Sequence, residues 1–138
     1  MDFEESDYDL ITLSGAWGRE RRIERGPIRS GVQSIDSKRG PSSHYLNPFF
    51  AMCSKNANEE YGDVYGYNLV YSGNFTAGVE VSLSYKSRAY MGINDYDFSW
   101  KLEPNDEFTS PEMIMVYSDK GFGQMSRTFH KLYRKRLV

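Results

Sequence analysis

From residue 79 to residue 85 the side chains alternate, with Val79, Val81, Leu83 and Tyr85 on one side and Glu80, Ser82 and Ser84 on the other. A period of two is that of a β-strand, and the polar side marks a sheet with one wet face. The same reading predicts strands at 10–14, 28–35, 46–52, 64–71, 75–85 and 88–93. Phe98, Trp100 and Leu102 alternate with Ser99, Lys101 and Glu103, which predicts a further strand stopped by Pro104. Met113, Ile114, Met115, Val116 and Tyr117 are continuously apolar and predict a strand covered on both faces.

Breakers separate these runs: Gly15, Gly26-Pro27, Ser72-Gly73-Asn74 as a hairpin turn, Asn94-Asp95, and Pro104-Asn105-Asp106. Residues 54–60 form a polar turn. Turn signals at roughly ten-residue intervals describe an all-β antiparallel sandwich. Between Trp17 and Arg29 the arginines 19, 21, 22, 25 and 29 interleave with Glu20 and Glu24, which predicts a solvated strand face with cross-strand pairing. The glutamates argue against a basic surface for phosphate or RNA. Residues 28–35 are expected to partner that strand, with the irregular spacing of Ile28, Val32 and Ile35 leaving room for a bulge at Gly31.

The period changes at the end. Met125, Phe129, Leu132 and Arg136 recur at spacings of three and four, which a helix places on one side. Lys131, Arg134, Lys135 and Arg136 crowd its last turns, where cations suit the negative end of the helix dipole.

One stretch is neither strand nor helix. Residues 37–50 hold Gly40-Pro41 and Asn47-Pro48 around a small polar run that ends in Phe49-Phe50. Glycine admits unusual backbone angles, and proline fixes a dihedral and removes a donor, so this is a shaped loop running into a strand. Arg39, His44 and Asn47 are its candidate residues for facing a ligand or another domain. The plain alternative is a long connection pinned by its own turns.

With 138 residues the chain suits one domain and can bury roughly two-thirds of its unfolded surface. Its 11 Tyr and 8 Phe reinforce the β reading, because aromatic residues favour strands. The formal net charge of -2 supplies no global attraction to nucleic acid or an anionic membrane. The single Cys53 cannot form an internal disulfide, its position suits a small core residue, and a reducing, cytoplasmic setting is expected. The acidic start, Asp2 to Asp9, lacks the basic-then-apolar plan of a signal peptide, and no apolar run reaches the ~18 residues of a membrane span.

Sequence motifs carry a resemblance. Residues 37–50 are similar to a segment of bacterial α-galactosidases of glycoside hydrolase family 36. So are Leu13-Ser14-Gly15-Ala16-Trp17-Gly18-Arg19-Glu20-Arg21, the run from Glu60 to Phe75, Met91-Gly92-Ile93-Asn94, Phe98-Ser99-Trp100-Lys101-Leu102-Glu103-Pro104, and Phe129 to Leu137. The resemblance spans nearly the whole chain. It implies a piece of the N-terminal β-supersandwich of an enzyme that removes terminal α-linked galactose from melibiose- or raffinose-type sugars. On that reading residues 1–120 are sandwich and residues 121–138 a helix leading towards a (β/α)8 catalytic barrel absent here. It also implies barrel support, homo-oligomer contacts and no cofactor.

The family's catalytic aspartates belong to the barrel, so no residue here inherits a catalytic role. Retaining hydrolysis needs two carboxyl groups about 5–5.5 Å apart. Asp63, Asp95, Asp97, Asp106 and Asp119 sit mostly in turns, where Asp serves by bonding local backbone. His44 and His130 with one cysteine make no zinc signature, so no metal is expected. Asn74-Phe75-Thr76 matches a glycosylation sequon, and Gly121-Phe122-Gly123 is too short for a phosphate loop. A second class stays open: a stand-alone carbohydrate-binding module whose Trp17, Trp100 and tyrosines stack on sugar faces. A partial sandwich also exposes unpaired edges, so the chain is expected to dimerise through an edge or to cover it with the C-terminal helix.

Overall fold

The computed structural model describes residues 2–3 and 7–137; residues 4–6 of the acidic start lie outside that description. Strands β1 (Asp2–Phe3), β8 (Ser87–Ile93), β7 (Phe75–Val81) and β4 (Gly31–Asp36) form one sheet in that order. The other sheet runs β3 (Arg22–Pro27), β2 (Tyr8–Ser14), β5 (Leu46–Ser54), β6 (Val64–Val70) and β9 (Glu112–Ser118). Every strand pairing is antiparallel. Helix α1 (Gly121–Arg136) closes the chain. The architecture is the expected all-β sandwich with a C-terminal helix.

Alternation explains how two cores arise from one strand. On β5, Phe50 and Met52 point between the sheets and meet Tyr67, Leu69, Phe75, Ala77, Val79 and Val81. Their neighbours Ala51 and Cys53 point the other way, to Val64, Val116, Met125 and Phe129 under the helix. Buried on both faces, β5 is the centre of the molecule. Phe50 stacks on its cross-strand partner Tyr67 with ring centroids 4.7 Å apart. Gly66 lets the helix come close, because a Cβ there would lie 2.5 Å from Met125 Sδ and 2.9 Å from Phe129. Burial makes Cys53 the small core residue expected of it and pushes its thiol pKa up.

Several sequence expectations are corrected. Residues 28–35 do not partner the arginine-rich strand: β3 pairs with β2, whereas β4 pairs with β7 in the opposite sheet. Gly31 carries a φ of 93° at the entry to β4, and the register with β7 runs unshifted, without the expected bulge. Ser72-Gly73-Asn74 is a crossing between sheets and not a hairpin turn, since β6 and β7 lie in different sheets. The strand begun at Phe75 ends at Val81. Leu83 and Tyr85 then occupy the exposed β7–β8 turn, with Tyr85 at a φ of 59°.

Residues 98–103 are not a strand; they belong to an irregular, exposed connection with no neighbouring strand to bond. Met113, Met115 and Tyr117 are exposed as well. They share the inner side of the sheet with their partners Leu69, Tyr67 and Tyr65, but β9 is an edge strand that the four-stranded sheet leaves uncovered. Helix α1 lies across the outer face of the five-stranded sheet, against β6 and the edge strand β9.

Candidate functional site

Residues 37–45 carry the chain from the four-stranded sheet to the five-stranded one, beside the returning crossing at 71–74, which runs antiparallel to it. Backbone and side-chain bonds clasp the two together. Ser42 N–H donates to the Ser72 carbonyl at 2.7 Å, Gly40 N–H to Asn74 Oδ1 at 2.7 Å, and Ser37 N–H to the Phe75 carbonyl at 2.9 Å. Buried Asn94 pins the clasp. Its Nδ2 donates to the carbonyls of Ser37 (3.4 Å) and Phe75 (3.3 Å), and its Oδ1 accepts from Tyr96 N–H at 2.9 Å. The asparagine thus ends β8 by supplying a local backbone bond, as its turn propensity predicts.

On this clasp Arg39 is exposed, with its guanidinium 4.7 Å from the centre of the Tyr45 ring. His44 is exposed beside the β2–β3 turn, where Gly15 N–H donates to the Tyr45 carbonyl at 3.0 Å. In that turn, backbone N–H groups led by Gly18 hold the Glu20 carboxyl below its ordinary pKa, and the His44 charge adds to the effect. Asn47 is not with them. It lies at the start of β5 and lines a groove on the outer face of the five-stranded sheet. The structure therefore separates the three candidates into an exposed pair at one end of the sandwich and a third on its flank.

The groove lies on the half of the outer face that α1 leaves open. It has a volume of about 750 Å³ and is walled by Ile11, Leu13, Ile23 and Phe49 from the strands and by Phe129 and Tyr133 from the helix. Phe49 meets Phe129 edge to face, with centroids 6.0 Å apart, and Phe129 stacks on Tyr133. Asn68 Nδ2 donates to Tyr133 Oη across its floor. Desolvation raises the Tyr133 phenol, with the Asn68 bond opposing. Asn47 Nδ2 is buried with no hydrogen-bond partner, the one such side-chain atom among the described residues. Ile23, on edge strand β3, is 68% exposed above the groove.

At the groove's end Arg25 ties the sheet to the loop beneath the helix. It donates Nε to Asp9 (2.7 Å), Nη1 to the Ala57 carbonyl (2.8 Å), and Nη2 to the Lys55 carbonyl (2.8 Å). Burial pushes the Asp9 carboxyl up, but hydrogen bonds from Lys55 and Arg25 outweigh it and leave the pKa below the usual carboxylate range. Sequence reasoning read Arg25 only as part of a solvated face. Its sequence neighbours carry no sign of the loop 30 residues away that it caps.

Asp63 accepts from Tyr117 Oη at 2.7 Å, a bond that pushes the phenol pKa to about 12. Asp97 takes the left-handed conformation of a turn, with φ 52°. No group of three or more His, Cys, Asp or Glu gathers to hold a metal among the described residues. No helix among them is long and apolar enough to cross a membrane. Aromatic side chains do assemble on the β8–β9 connection: Trp100 and Phe98 flank Phe108 at 5.3 Å and 6.2 Å. These rings edge a second hollow of about 430 Å³, with Glu107 and Thr109 on its rim.

The sequence model for the glycosyl hydrolase family 36 N-terminal domain matches residues 1–103, and the Melibiase model matches residues 107–138. Over 138 residues the chain is 56% identical to alpha-galactosidase AgaA of Geobacillus stearothermophilus, covering 100% of this chain and 19% of that one. It is 46% identical to alpha-galactosidase Mel36A of Lactobacillus acidophilus over the same shares, 100% and 19%. The crystal structure of the Geobacillus AgaA superposes with a TM-score of 0.97 at 55% identity, again over 100% of this chain and 19% of that chain. A variant of that enzyme in complex with raffinose superposes equally well, with a TM-score of 0.97, 55% identity and the same 100% and 19% coverage. The chain spans about a fifth of the length of the relatives it matches.

Proposed function

The chain belongs to the family of glycosyl hydrolase family 36 N-terminal domains, and we propose that it is the non-catalytic sandwich portion of a longer α-galactosidase. Residues 1–120 supply the sandwich, and residues 121–138 form the helix that leads into a (β/α)8 barrel. The longer protein hydrolyses terminal, non-reducing α-D-galactose in sugars of the melibiose and raffinose type. The observation that carries this reading is 56% identity over the whole chain to the alpha-galactosidase AgaA. The match of the Melibiase model across α1 supports the helix as the connection between the two parts.

The role follows from what the chain holds. Asp9 is tied to Arg25 and Lys55 and Asp63 to Tyr117, and the paired carboxyl groups that retaining hydrolysis needs would come from the barrel. The sandwich supports that barrel and takes part in homo-oligomer contacts, in the cytoplasm, a setting that the buried, unpaired Cys53 favours. Arg39 and His44 face the barrel or its ligand. The full-length protein should release nitrophenol from p-nitrophenyl α-galactoside and the 138-residue chain should not. Release by the short chain, or none by the long one, removes the proposal. Unchanged kinetics and assembly in full-length Arg39→Ala and His44→Ala remove the part assigned to that loop.

The Phe98–Trp100–Phe108 cluster favours a second reading, a stand-alone carbohydrate-binding module, because Trp100 is 63% exposed and offers a ring face. Saturable raffinose binding by the isolated chain in calorimetry, lost in Trp100→Ala, would establish it.

A further inference from the structure

We infer that Arg25, on edge strand β3, is the positioning residue for the start of α1, acting through the loop of residues 54–62. A helix leaves its first N–H groups without intrahelical acceptors, and the usual remedy is a side-chain oxygen on the residue before the first turn. In α1 that residue is Lys120, no side chain caps the end, and the first turn holds no acid. A loop from elsewhere in the chain supplies the acceptors instead. Gly121 N–H donates to the Gly62 carbonyl at 3.0 Å, Phe122 N–H to that of Asn58 at 2.9 Å, and Gly123 N–H to that of Glu59 at 2.9 Å. The approach is close enough to require glycine. A Cβ on Gly121 would lie 2.1 Å from the Asn58 carbonyl oxygen, and one on Gly123 2.8 Å from that of Glu59.

The same loop is held from its other end by Arg25. Ser54, Lys55 and Ala57 turn their carbonyls to the guanidinium, which donates to them at 3.2, 2.8 and 2.8 Å. Asn58 links the two ends, since its Oδ1 accepts from the Glu60 and Tyr61 N–H groups, both at 2.9 Å. Arg25 is itself fixed by Asp9, which accepts from Nε at 2.7 Å. A guanidinium suits this task because its planar fork meets several acceptors at fixed angles, whereas an ammonium is a compact charge on a flexible stem. Three loop carbonyls thus serve the arginine and three serve the helix. Releasing the first set loosens the loop and uncaps the helix.

Amide hydrogen exchange in the intact protein tests this, read by mass spectrometry over residues 119–124 and, for reference, over residues 75–81 of β7. Arg25→Met raises exchange at 119–124 at least about tenfold, the scale of losing hydrogen bonds to a charged group, and leaves β7 within about threefold. Arg25→Lys exchanges like Arg25→Met, because it keeps the charge without the fork. Arg25 Cζ also lies 5.9 Å from the centre of the Phe122 ring, so both variants are repeated in a Phe122→Leu background, where the same rise is expected. The inference is overturned if exchange at 119–124 stays at the unmutated rate, rises no more than that of β7, or is restored by lysine. A rise that disappears with the Phe122 ring overturns it too. Should Arg25→Met not fold, Asn58→Ala carries the test by cutting the loop from within: the same local rise supports the inference and its absence overturns it.

Discussion

Replacing Phe129 by alanine tests whether α1 is part of the fold or an appendage to it. Phe129 is 4% exposed, meets Phe49 edge to face, stacks on Tyr133, and sits over Gly66 where no side chain competes for the space. A buried Phe→Ala change costs about 3–5 kcal/mol through lost transfer energy and the cavity left behind. The groove opens beside this ring, so water and neighbouring side chains relieve part of the cavity, and about 3 kcal/mol is expected. With a urea m-value near ~1.5 kcal/mol/M, the midpoint falls by about 2 M with the slope unchanged. Far-UV circular dichroism is the appropriate probe, because Trp17 and Trp100 are both exposed and report little of the core. A midpoint shift below about 0.5 M, equivalent to less than ~1 kcal/mol at that slope, would refute the anchoring argued here. Phe129→Leu, which keeps most of the buried volume, should recover more than half of the loss.

Gly78→Ala should cost about 2 kcal/mol or more in chemical denaturation, since its Cβ would lie 2.2 Å from the Gln33 carbonyl oxygen of the paired strand. Gly92→Ala, which meets nothing within 4 Å, should stay within about 0.5 kcal/mol. Asp9 has a depressed pKa, so its contribution of about 1–2 kcal/mol is present above the unfolded carboxyl value near ~3.9 and is lost as pH falls through the lower folded one. Asp9→Asn should therefore be less stable at pH 7 and show a shallower acid decline in a pH series of urea melts; an unchanged decline would count against the Arg25–Asp9–Lys55 network. Asn94→Ala should cost about 1–3 kcal/mol and strip hydrogen-exchange protection from the clasp at Ser37 and Ser42, because the Asn94 side chain ties two carbonyls and one N–H together. Cys53 should react with a disulfide reagent only as fast as the domain opens, so that its labelling rate falls and rises with stability across these variants.

The elements read most directly from sequence are those whose residues face something on both sides of a fixed period. On β7, Phe75, Ala77, Val79 and Val81 are all buried while Glu80 is exposed. On α1, Met125 and Phe129 are buried at the spacing that predicted the helix. Periodicity reports which way a side chain points and not whether a strand has a neighbour. Phe98, Trp100 and Leu102 alternate faultlessly, yet among the described residues they form no strand, and the Phe98 and Trp100 rings gather on Phe108 instead. Turn signals have the matching limit. Ser72-Gly73-Asn74 reverses the chain but does not say that the reversal delivers it to the other sheet. The groove was legible only through Asn47, because Ile11, Ile23, Phe49 and Tyr133 meet there across 122 residues of sequence and no local pattern joins them.

The two sides of the five-stranded sheet make different demands on the chain, and this difference links fold to function. The inner face is finished where the four-stranded sheet reaches it: Phe50, Met52, Tyr67 and Leu69 are buried, and the Phe50–Tyr67 stack fills the centre. Beyond that reach, on β9, Met113, Met115 and Tyr117 stay exposed on the same side. On the outer face the helix finishes β6 and β9 and stops short of β2 and β3. Contiguous apolar patches of this kind are uncommon on the surface of isolated domains. The clasp of residues 37–45 on residues 71–74 is, by contrast, satisfied by its own hydrogen bonds and holds Arg39 out on a rigid base. The end loops are thus internally complete, whereas the flank keeps an apolar groove and, among the described residues, the one buried side-chain donor without an acceptor.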